Sequence, residues 1–154
     1  MLFVCSGNLC RSPMAAEYMR CLLARQGVSQ VAVDSAGLLG IEGERAAPES
    51  IGLLRESGLD LSGHRSRGIR KSDLGTPGYI VVMTHEHREE FARRFPDHVA
   101  RTVLIRAFDR GPEPGEGAAD LEDPMGRPIA AFRECFQTIR HCVDHLVRHL
   151  AHRP

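Results

Sequence analysis

Short apolar segments alternate along the chain with stretches in which apolar residues recur every three or four positions. Four short segments rich in Val, Leu and Ile, at residues 2–4, 31–33, 79–83 and 102–105, predict strands buried on both faces. Because strands and helical patterns alternate, the strands should run parallel, with helices on both sides. The expected fold is a three-layer α/β/α arrangement around a four-stranded parallel, twisted sheet.

The helical stretches carry their own start and stop signals. Ser12 is expected to be the N-cap of the first helix, Pro13 occupies its first turn, and Gly27 ends it. Thr84 is expected to cap the third helix. In the last helix, apolar residues recur at steps of four and three from Phe132 to Leu150 and therefore lie on one face. The first three predicted helices cover residues 13–26, 48–57 and 85–94.

Composition excludes several classes of protein. The 154 residues suit one domain, expected to span residues 1–154. Twenty Lys and Arg residues balance twenty Asp and Glu residues, so no basic excess points to nucleic acid. No apolar run reaches the roughly 18–20 residues of a membrane span, and the first residues lack the pattern of a signal peptide. Five cysteines without zinc-site spacing are interpreted as reduced thiols, which predicts a cytoplasmic protein.

The connection between the first strand and the first helix carries the chemistry. Its successive backbone N–H groups and the helix N-terminus behind it can form a nest for an anion. Gly7 allows a tight turn, and the planar guanidinium of Arg11 can bind two oxygens of a phosphate. Cys5 is expected to face the same cavity, where these groups favour its thiolate form. Since neither GxxxxGK[ST] nor GxGxxG is present, the loop predicts a phosphate cradle with a nucleophile, not a nucleotide site.

The segment FVCSGNLCRSPMA, at residues 3–15, resembles the signature loop of low-molecular-weight protein tyrosine phosphatases. Asp123 precedes a proline in the late loop before the last helix, where that family keeps its general acid. The resemblance covers nearly the whole chain and implies a Rossmann-like phosphatase fold. Further similar stretches are SAG at residues 35–37, GLDL at 58–61 and HRSR at 64–67.

The resemblance also implies a protein tyrosine phosphatase mechanism. Cys5 would attack phosphorus to form a phosphocysteine intermediate, Arg11 would bind the phosphoryl oxygens, and Asp123 would act as general acid and then base. Ser35 and His64 would support the loop. No metal or other cofactor is expected, because the loop and Arg11 supply the positive field. The residues expected around the phosphate are Ser6, Gly7, Asn8, Leu9, Cys10 and Ser12.

The expected partner is a phosphorylated protein, with phosphate and other oxyanions as inhibitors, and the expected assembly is a monomer or weak dimer. Many tyrosine-specific members of the family place aromatic residues directly after the Asp-Pro pair, whereas Met125 follows here. The loop after residues 35–37 is likewise aliphatic. The groove candidates are Leu9, Leu38, Ile41 and Met125.

Two features give opposite indications about the substrate. The aliphatic groove and the stretch MTHEH at residues 83–87 resemble the protein-arginine phosphatase branch of the family. That branch has Thr at the position of Leu9, where a bulky aliphatic residue is typical of tyrosine-directed members. We therefore predict phosphotyrosine, with phosphoarginine as the alternative.

Two other classes of function fit less well. An arsenate reductase of this fold would need a further pair of cysteines near residues 81–91, where the chain has none. A non-catalytic phosphate-binding module would not need Cys5, Arg11 and Asp123 together.

Several further cysteines and histidines have simpler interpretations. Cys10 could pair reversibly with Cys5 or pack the loop, and both remain open. Histidines recur every four residues along the last helix, which could hold a metal, but their charged neighbours favour a solvated face. These are His141, His145 and His149. Cys21, Cys135 and Cys142 are predicted core residues, and His85 and His87 are predicted only to open the third helix.

Overall fold

The computed structural model describes residues 1–75 and 78–151. Within these residues four parallel strands form one sheet in the spatial order β2-β1-β3-β4. The strands are β1 (Leu2–Cys5), β2 (Asp34–Gly37), β3 (Ile80–Val82) and β4 (Thr102–Leu104). The helices are α1 (Arg11–Arg25), α2 (Pro48–Glu56), α3 (His85–Arg94) and α4 (Ile129–Ala151), with short 3-10 turns at Lys71–Leu74, Pro96–Arg101 and Ile105–Phe108. The predicted three-layer α/β/α fold with a four-stranded parallel sheet is confirmed.

The order of the strands determines where a ligand can bind. β1 and β3, the two central strands, are buried along their whole length. β2 lies on one side of β1 and β3 on the other, so the winding of the chain reverses at β1. Ligand sites in such sheets lie beyond the carboxyl ends of the strands at this switch point. The fold therefore places the site just after Cys5.

The second strand does not lie where hydrophobicity predicts it. Residues 31–33 precede β2, and Val31 and Val33 are only partly buried. A Cβ atom on Gly37 would lie 2.7 Å from the carbonyl oxygen of Ser6. The phosphate loop thus packs directly against the end of β2, where Gly37 leaves no room for a side chain. This contact outweighs the strand propensity of the valines.

The helices agree with the predictions within a few residues, apart from one cap. Thr84 caps α3, and Gly27, with φ +70°, ends α1, both as predicted. Ser12 is not the N-cap, because α1 already begins at Arg11. The Ser12 hydroxyl instead contacts Cys5. Ser12 therefore serves the site and does not cap the helix.

Packing of the helices completes the core. α4 packs along α1, and α3 packs on β3 and β4. Cys135 and Cys142 are buried as predicted, whereas Cys21 is only partly buried. The predicted stripe of α4 faces the core through Phe132, Phe136, Ile139, Val143 and Leu146, with Leu150 at its partly buried end. Among residues 1–75 and 78–151, no helix combines the length and the hydropathy needed to cross a membrane.

The long segment between β4 and α4 contains a closed loop. The Arg106 guanidinium donates to a carboxylate oxygen of Asp109 at 2.6 and 2.8 Å and to the carbonyl oxygen of Asp120 at 3.2 Å. Arg106 therefore holds the two ends of residues 109–120 together. The segment that follows leads to the cavity beside β1.

Candidate active site

Asn8 fixes the shape of the loop between β1 and α1. It is buried and has φ +59°, in the left-handed region that Asn tolerates better than most residues. Its Nδ2 donates to the hydroxyls of Ser12 and Ser35, at 2.9 Å each. Its Oδ1 accepts from the backbone N–H of Arg67 at 3.1 Å, and its carbonyl oxygen accepts from Nε2 of His64 at 2.7 Å. Ser35 and His64, the predicted supports, therefore both contact the loop through Asn8.

Cys5 lies buried at the carboxyl end of β1. Its Sγ is 3.0 Å from Oγ of Ser12 and 3.3 Å from the backbone nitrogen of Asn8. Hydrogen bonds of this kind stabilise a thiolate, and the N-terminus of α1 begins six residues further along the chain. The thiol is therefore placed to act as a nucleophile.

Arg11 is buried at the first residue of α1, and its guanidinium is held in place on two sides. Nη1 donates to the carbonyl oxygen of Leu121 at 3.0 Å, and Nη2 donates to Oδ2 of Asp123 at 2.7 Å. Nη2 also lies 3.4 Å from Oγ of Ser6. A planar cation fixed in this way is preorganised to bind the oxygens of a phosphoryl group.

Asp123 reaches the same place from the segment before α4. The backbone N–H of Leu121 donates to the carbonyl oxygen of Met83, just after β3, at 2.9 Å. Oδ1 of Asp123 accepts from the backbone N–H of Met125 at 3.1 Å. The Asp123 side chain is 46% exposed, so a leaving group or a water molecule can reach it.

A cavity of about 180 Å³ opens over Cys5. Three of the four groove candidates, Leu9, Ile41 and Met125, line it. Leu39, 69% exposed, lines the cavity in place of the predicted Leu38, which is partly buried against the core. The backbone N–H of Leu38 donates to the carbonyl oxygen of Cys5 at 2.9 Å, so Leu38 continues beside β1 and its neighbour Leu39 lies at the cavity. The other lining residues are Ser6, Gly7, Cys10, Arg11 and Asp123.

His87 belongs to this site, although the sequence assigned it no function. The residue is 6% exposed, in the first turn of α3, and its Nε2 lies 2.8 Å from Oγ of Ser6. Burial and the nearby charge of Arg11 lower the pKa of His87 to about 4, so the ring is neutral at neutral pH. One sequence signal points to this position: His87 and Phe91 are four residues apart on the buried face of α3.

Burial also sets the protonation of two further groups, His64 beside the loop and Cys10 within it. Burial lowers the pKa of His64, which therefore donates Nε2–H to the loop as a neutral ring. Burial raises the pKa of Cys10 to about 12, so this neighbour of Cys5 is a thiol. Both interpretations of Cys10 stay open, but its high pKa opposes reversible pairing with Cys5 because a thiolate is the attacking form.

Of the three histidines of α4, His141 is exposed as predicted, His145 is partly buried, and His149 departs from the predicted solvated face. His149 is buried, with Nε2 3.0 Å from the Tyr79 hydroxyl oxygen. His141 and His145 each lie 2.7 Å from a backbone carbonyl oxygen in the turn after β4. The rings of His141 and His145 thus join α4 to that turn. The charged residues beside them in the sequence gave no sign of this contact. In the described part of the chain, no cluster of three or more His, Cys, Asp or Glu residues could hold a metal.

Known proteins resemble the chain over nearly its whole length. Residues 1–153 match the family described as low molecular weight phosphotyrosine protein phosphatase. A protein-arginine-phosphatase of Geobacillus stearothermophilus is 33% identical over 97% of this chain and 95% of its own. Low molecular weight phosphotyrosine protein phosphatase 1 of Drosophila melanogaster is 39% identical over 89% and 87%. A crystal structure of a low molecular weight protein tyrosine phosphatase from T. tengcongensis, 29% identical, covers 96% of both chains with a TM-score of 0.86. The chain therefore belongs to the low-molecular-weight phosphotyrosine protein phosphatase family, and it is a phosphatase.

Proposed function

We propose that the protein hydrolyses phosphotyrosine in protein substrates through a phosphocysteine intermediate. Sγ of Cys5 attacks phosphorus in line, so that an S–P bond forms while the P–O bond to the tyrosine breaks. Arg11 and the loop N–H groups bind the three equatorial oxygens, and Asp123 gives its proton to the leaving oxygen. Water then attacks the phosphocysteine, Asp123 takes a proton from it, and phosphate leaves as the thiolate is restored.

One observation carries this mechanism: three reactive groups from three separate elements converge on one cavity. The thiol of Cys5 comes from the end of β1, the guanidinium of Arg11 from the start of α1, and the carboxylate of Asp123 from the segment before α4. Each group has the chemistry that its step requires. Because the mechanism needs a free thiolate, we also infer that the protein works in a reducing compartment, such as the cytoplasm.

The apolar lining supports phosphotyrosine as the substrate. Leu9, Ile41 and Met125 form aliphatic walls against which a phenyl ring can pack. A substrate guanidinium would instead need hydrogen-bond acceptors. Asp123 is the one carboxylate among the residues that line the cavity in the described part of the chain, and Arg11 already binds its Oδ2.

Phosphoarginine is the second candidate. Among the described residues that line the cavity none is aromatic, so no ring would sandwich a phenyl group. The similarity to a protein-arginine-phosphatase over 97% of the chain also favours this substrate. The same mechanism would then break a P–N bond, with Asp123 protonating the guanidinium nitrogen.

Matched peptides that carry phosphotyrosine or phosphoarginine in the same sequence separate these candidates. We expect a higher kcat/KM on phosphotyrosine, and a shift of the ratio toward phosphoarginine in Leu9→Thr, which adds a hydroxyl beside the substrate. Inorganic phosphate should inhibit competitively. A higher kcat/KM on phosphoarginine for the unmodified protein would overturn the substrate but not the mechanism. Turnover by Cys5→Ser at the unmodified rate would overturn the mechanism itself.

A further inference from the structure

We infer that His87 is a positioning residue that turns the Ser6 hydroxyl into a hydrogen-bond donor to the phosphoryl group of the substrate. The inference rests on the proposed phosphatase site. It adds to that site a side-chain ligand for phosphate, beside the backbone N–H groups and Arg11.

Ser6 and His87 are 81 residues apart in the chain and meet at the cavity wall. Oγ of Ser6 lies 2.8 Å from Nε2 of His87 and 3.4 Å from Nη2 of Arg11. The start of α3 holds the imidazole in place, because the backbone N–H of His87 donates to Oγ1 of Thr84 at 3.1 Å and the ring is buried. The helix cap thus fixes the backbone of His87, and burial restricts its ring.

The protonation of the imidazole determines the direction of the bond to Ser6. Burial and the Arg11 guanidinium disfavour a charged ring, so His87 has one N–H. Nδ1 is buried and has no hydrogen-bond partner among the described residues. A hydrogen on Nδ1 would leave a buried donor unpaired, and such orphaned donors are rarer than unpaired acceptors. The hydrogen therefore belongs on Nε2, and His87 donates to Ser6.

This direction decides what the Ser6 hydroxyl can do. A serine hydroxyl has two lone pairs and one hydrogen. Nε2–H of His87 and Nη2–H of Arg11 take the lone pairs, so the hydrogen is left for a partner in the cavity. Phosphoryl oxygens are acceptors only, and they would receive it. Both donors also polarise the hydroxyl, which strengthens the bond that it makes.

The test combines Ser6→Ala, His87→Leu and the double variant, with p-nitrophenyl phosphate as substrate and inorganic phosphate as inhibitor. Each single change should lower kcat/KM by about ten-fold, as expected for one hydrogen bond to a charged group, and weaken phosphate inhibition to a similar extent. The double variant should show no greater loss than Ser6→Ala, because His87 acts through the Ser6 hydroxyl. His87→Gln, whose amide nitrogen can donate from a similar position, should recover most of the activity.

His149→Leu is a matched control. His149 is also buried, and its Nε2 also lies close to a hydroxyl, that of Tyr79, but neither residue lines the cavity. This change should lower the unfolding temperature and leave kcat/KM unchanged. Thermal unfolding of every variant separates a loss of folding from a loss of binding.

Two results would overturn the inference and leave the phosphatase mechanism intact. One is an unchanged kcat/KM and phosphate inhibition in Ser6→Ala, which also decides the matter if His87→Leu does not fold. The other is a double variant in which the two losses multiply. Failure of the mechanism would be distinct, because it would appear as turnover by Cys5→Ser.

Discussion

The two carboxylate oxygens of Asp123 have different neighbours, and a substitution can separate them. Oδ2 binds Arg11 at 2.7 Å, and Oδ1 accepts from the backbone N–H of Met125 at 3.1 Å. Asn keeps the second bond but cannot deliver a proton. Asp123→Asn should therefore lower kcat about 100-fold or more on phenyl phosphate, whose leaving group needs protonation, and less on p-nitrophenyl phosphate. Glu122→Gln, at the exposed neighbouring position, is the control, and equal losses on both substrates would contradict the assignment.

Cys5 and Cys10 line the same cavity but should differ in reactivity. Burial raises the pKa of Cys10 to about 12, whereas the hydroxyl of Ser12 and the backbone N–H of Asn8 can stabilise a thiolate on Cys5. Brief treatment with iodoacetamide at pH 7 should modify Cys5 before Cys10, and inorganic phosphate should slow the reaction. Peptide mass spectrometry measures both. Faster labelling of Cys10 would be the opposite result.

Single residues differ in how far the sequence reveals them. Cys5 and Arg11 could be named in advance because phosphoryl transfer to a thiol needs these residue types. Asp123 could be named because its position resembles that of the family's general acid, and the structure brings the three residues together. His87 could not, since its function depends on burial and on a contact with Ser6 across 81 positions. Local sequence patterns do not encode such contacts.

At the scale of elements, β2 and the phosphate loop approach most closely at Gly37. An added Cβ would lie 2.7 Å from the Ser6 carbonyl oxygen and 2.9 Å from the carbonyl carbon of Gly7, both backbone atoms. Gly37→Ala should therefore displace the loop, lower kcat/KM and reduce the free energy of unfolding by about 1–3 kcal/mol. Enzyme assays and urea unfolding measure the two effects.

Gly52→Ala is the matched control for this substitution. Gly52 lies within α2, where an added Cβ would meet no atom within 4 Å. Because Ala favours helix, this variant should gain roughly 0.5–1 kcal/mol of stability and keep its kcat/KM. A gain in stability with an unchanged kcat/KM in Gly37→Ala would contradict the close contact between β2 and the loop.

Elements defined by local signals were predictable, and those defined by contacts were not. The Thr84 cap and the apolar period of α4 depend only on residues close together in the sequence, and both helices agree with the prediction. β2 lies at Asp34–Gly37, and not at the valines before it, because its contacts with the phosphate loop, at Ser35 and Gly37, fix its place beside β1. Ser12 likewise serves Cys5 and not the helix end.

At the scale of the whole molecule, a buried neutral histidine makes stability depend on pH. The pKa of His87 is about 4 in the folded protein, against an ordinary value of 6.5. Between these values the unfolded chain binds the extra proton, so the free energy of unfolding falls as the pH decreases from 6.5 toward 4. Protonation of His87 lowers the free energy of unfolding by about 3 kcal/mol over this range. Above pH 6.5 the contribution of His87 to the free energy of unfolding is constant.

Urea unfolding between pH 7 and pH 4.5 measures this dependence. His87→Gln should show a shallower decline in the free energy of unfolding than the unmodified protein. His141→Gln, a change at an exposed position on α4, serves as the control. Identical pH profiles for His87→Gln and the unmodified protein would show that His87 does not carry the effect.

The contacts of Arg106 with Asp109 and Asp120 affect how the sequence between them can change in evolution and in engineering. Because Arg106 joins Asp109 to the carbonyl oxygen of Asp120, the distance between the loop ends does not depend on the number of residues between them. The entropy cost of closing a loop grows only slowly with its length. A peptide inserted before Gly115 should therefore leave Asp123 in place. Gly115 and Ala118 have contacts of their own, to the carbonyl oxygen of Ala107 and to the core, which an insertion has to spare.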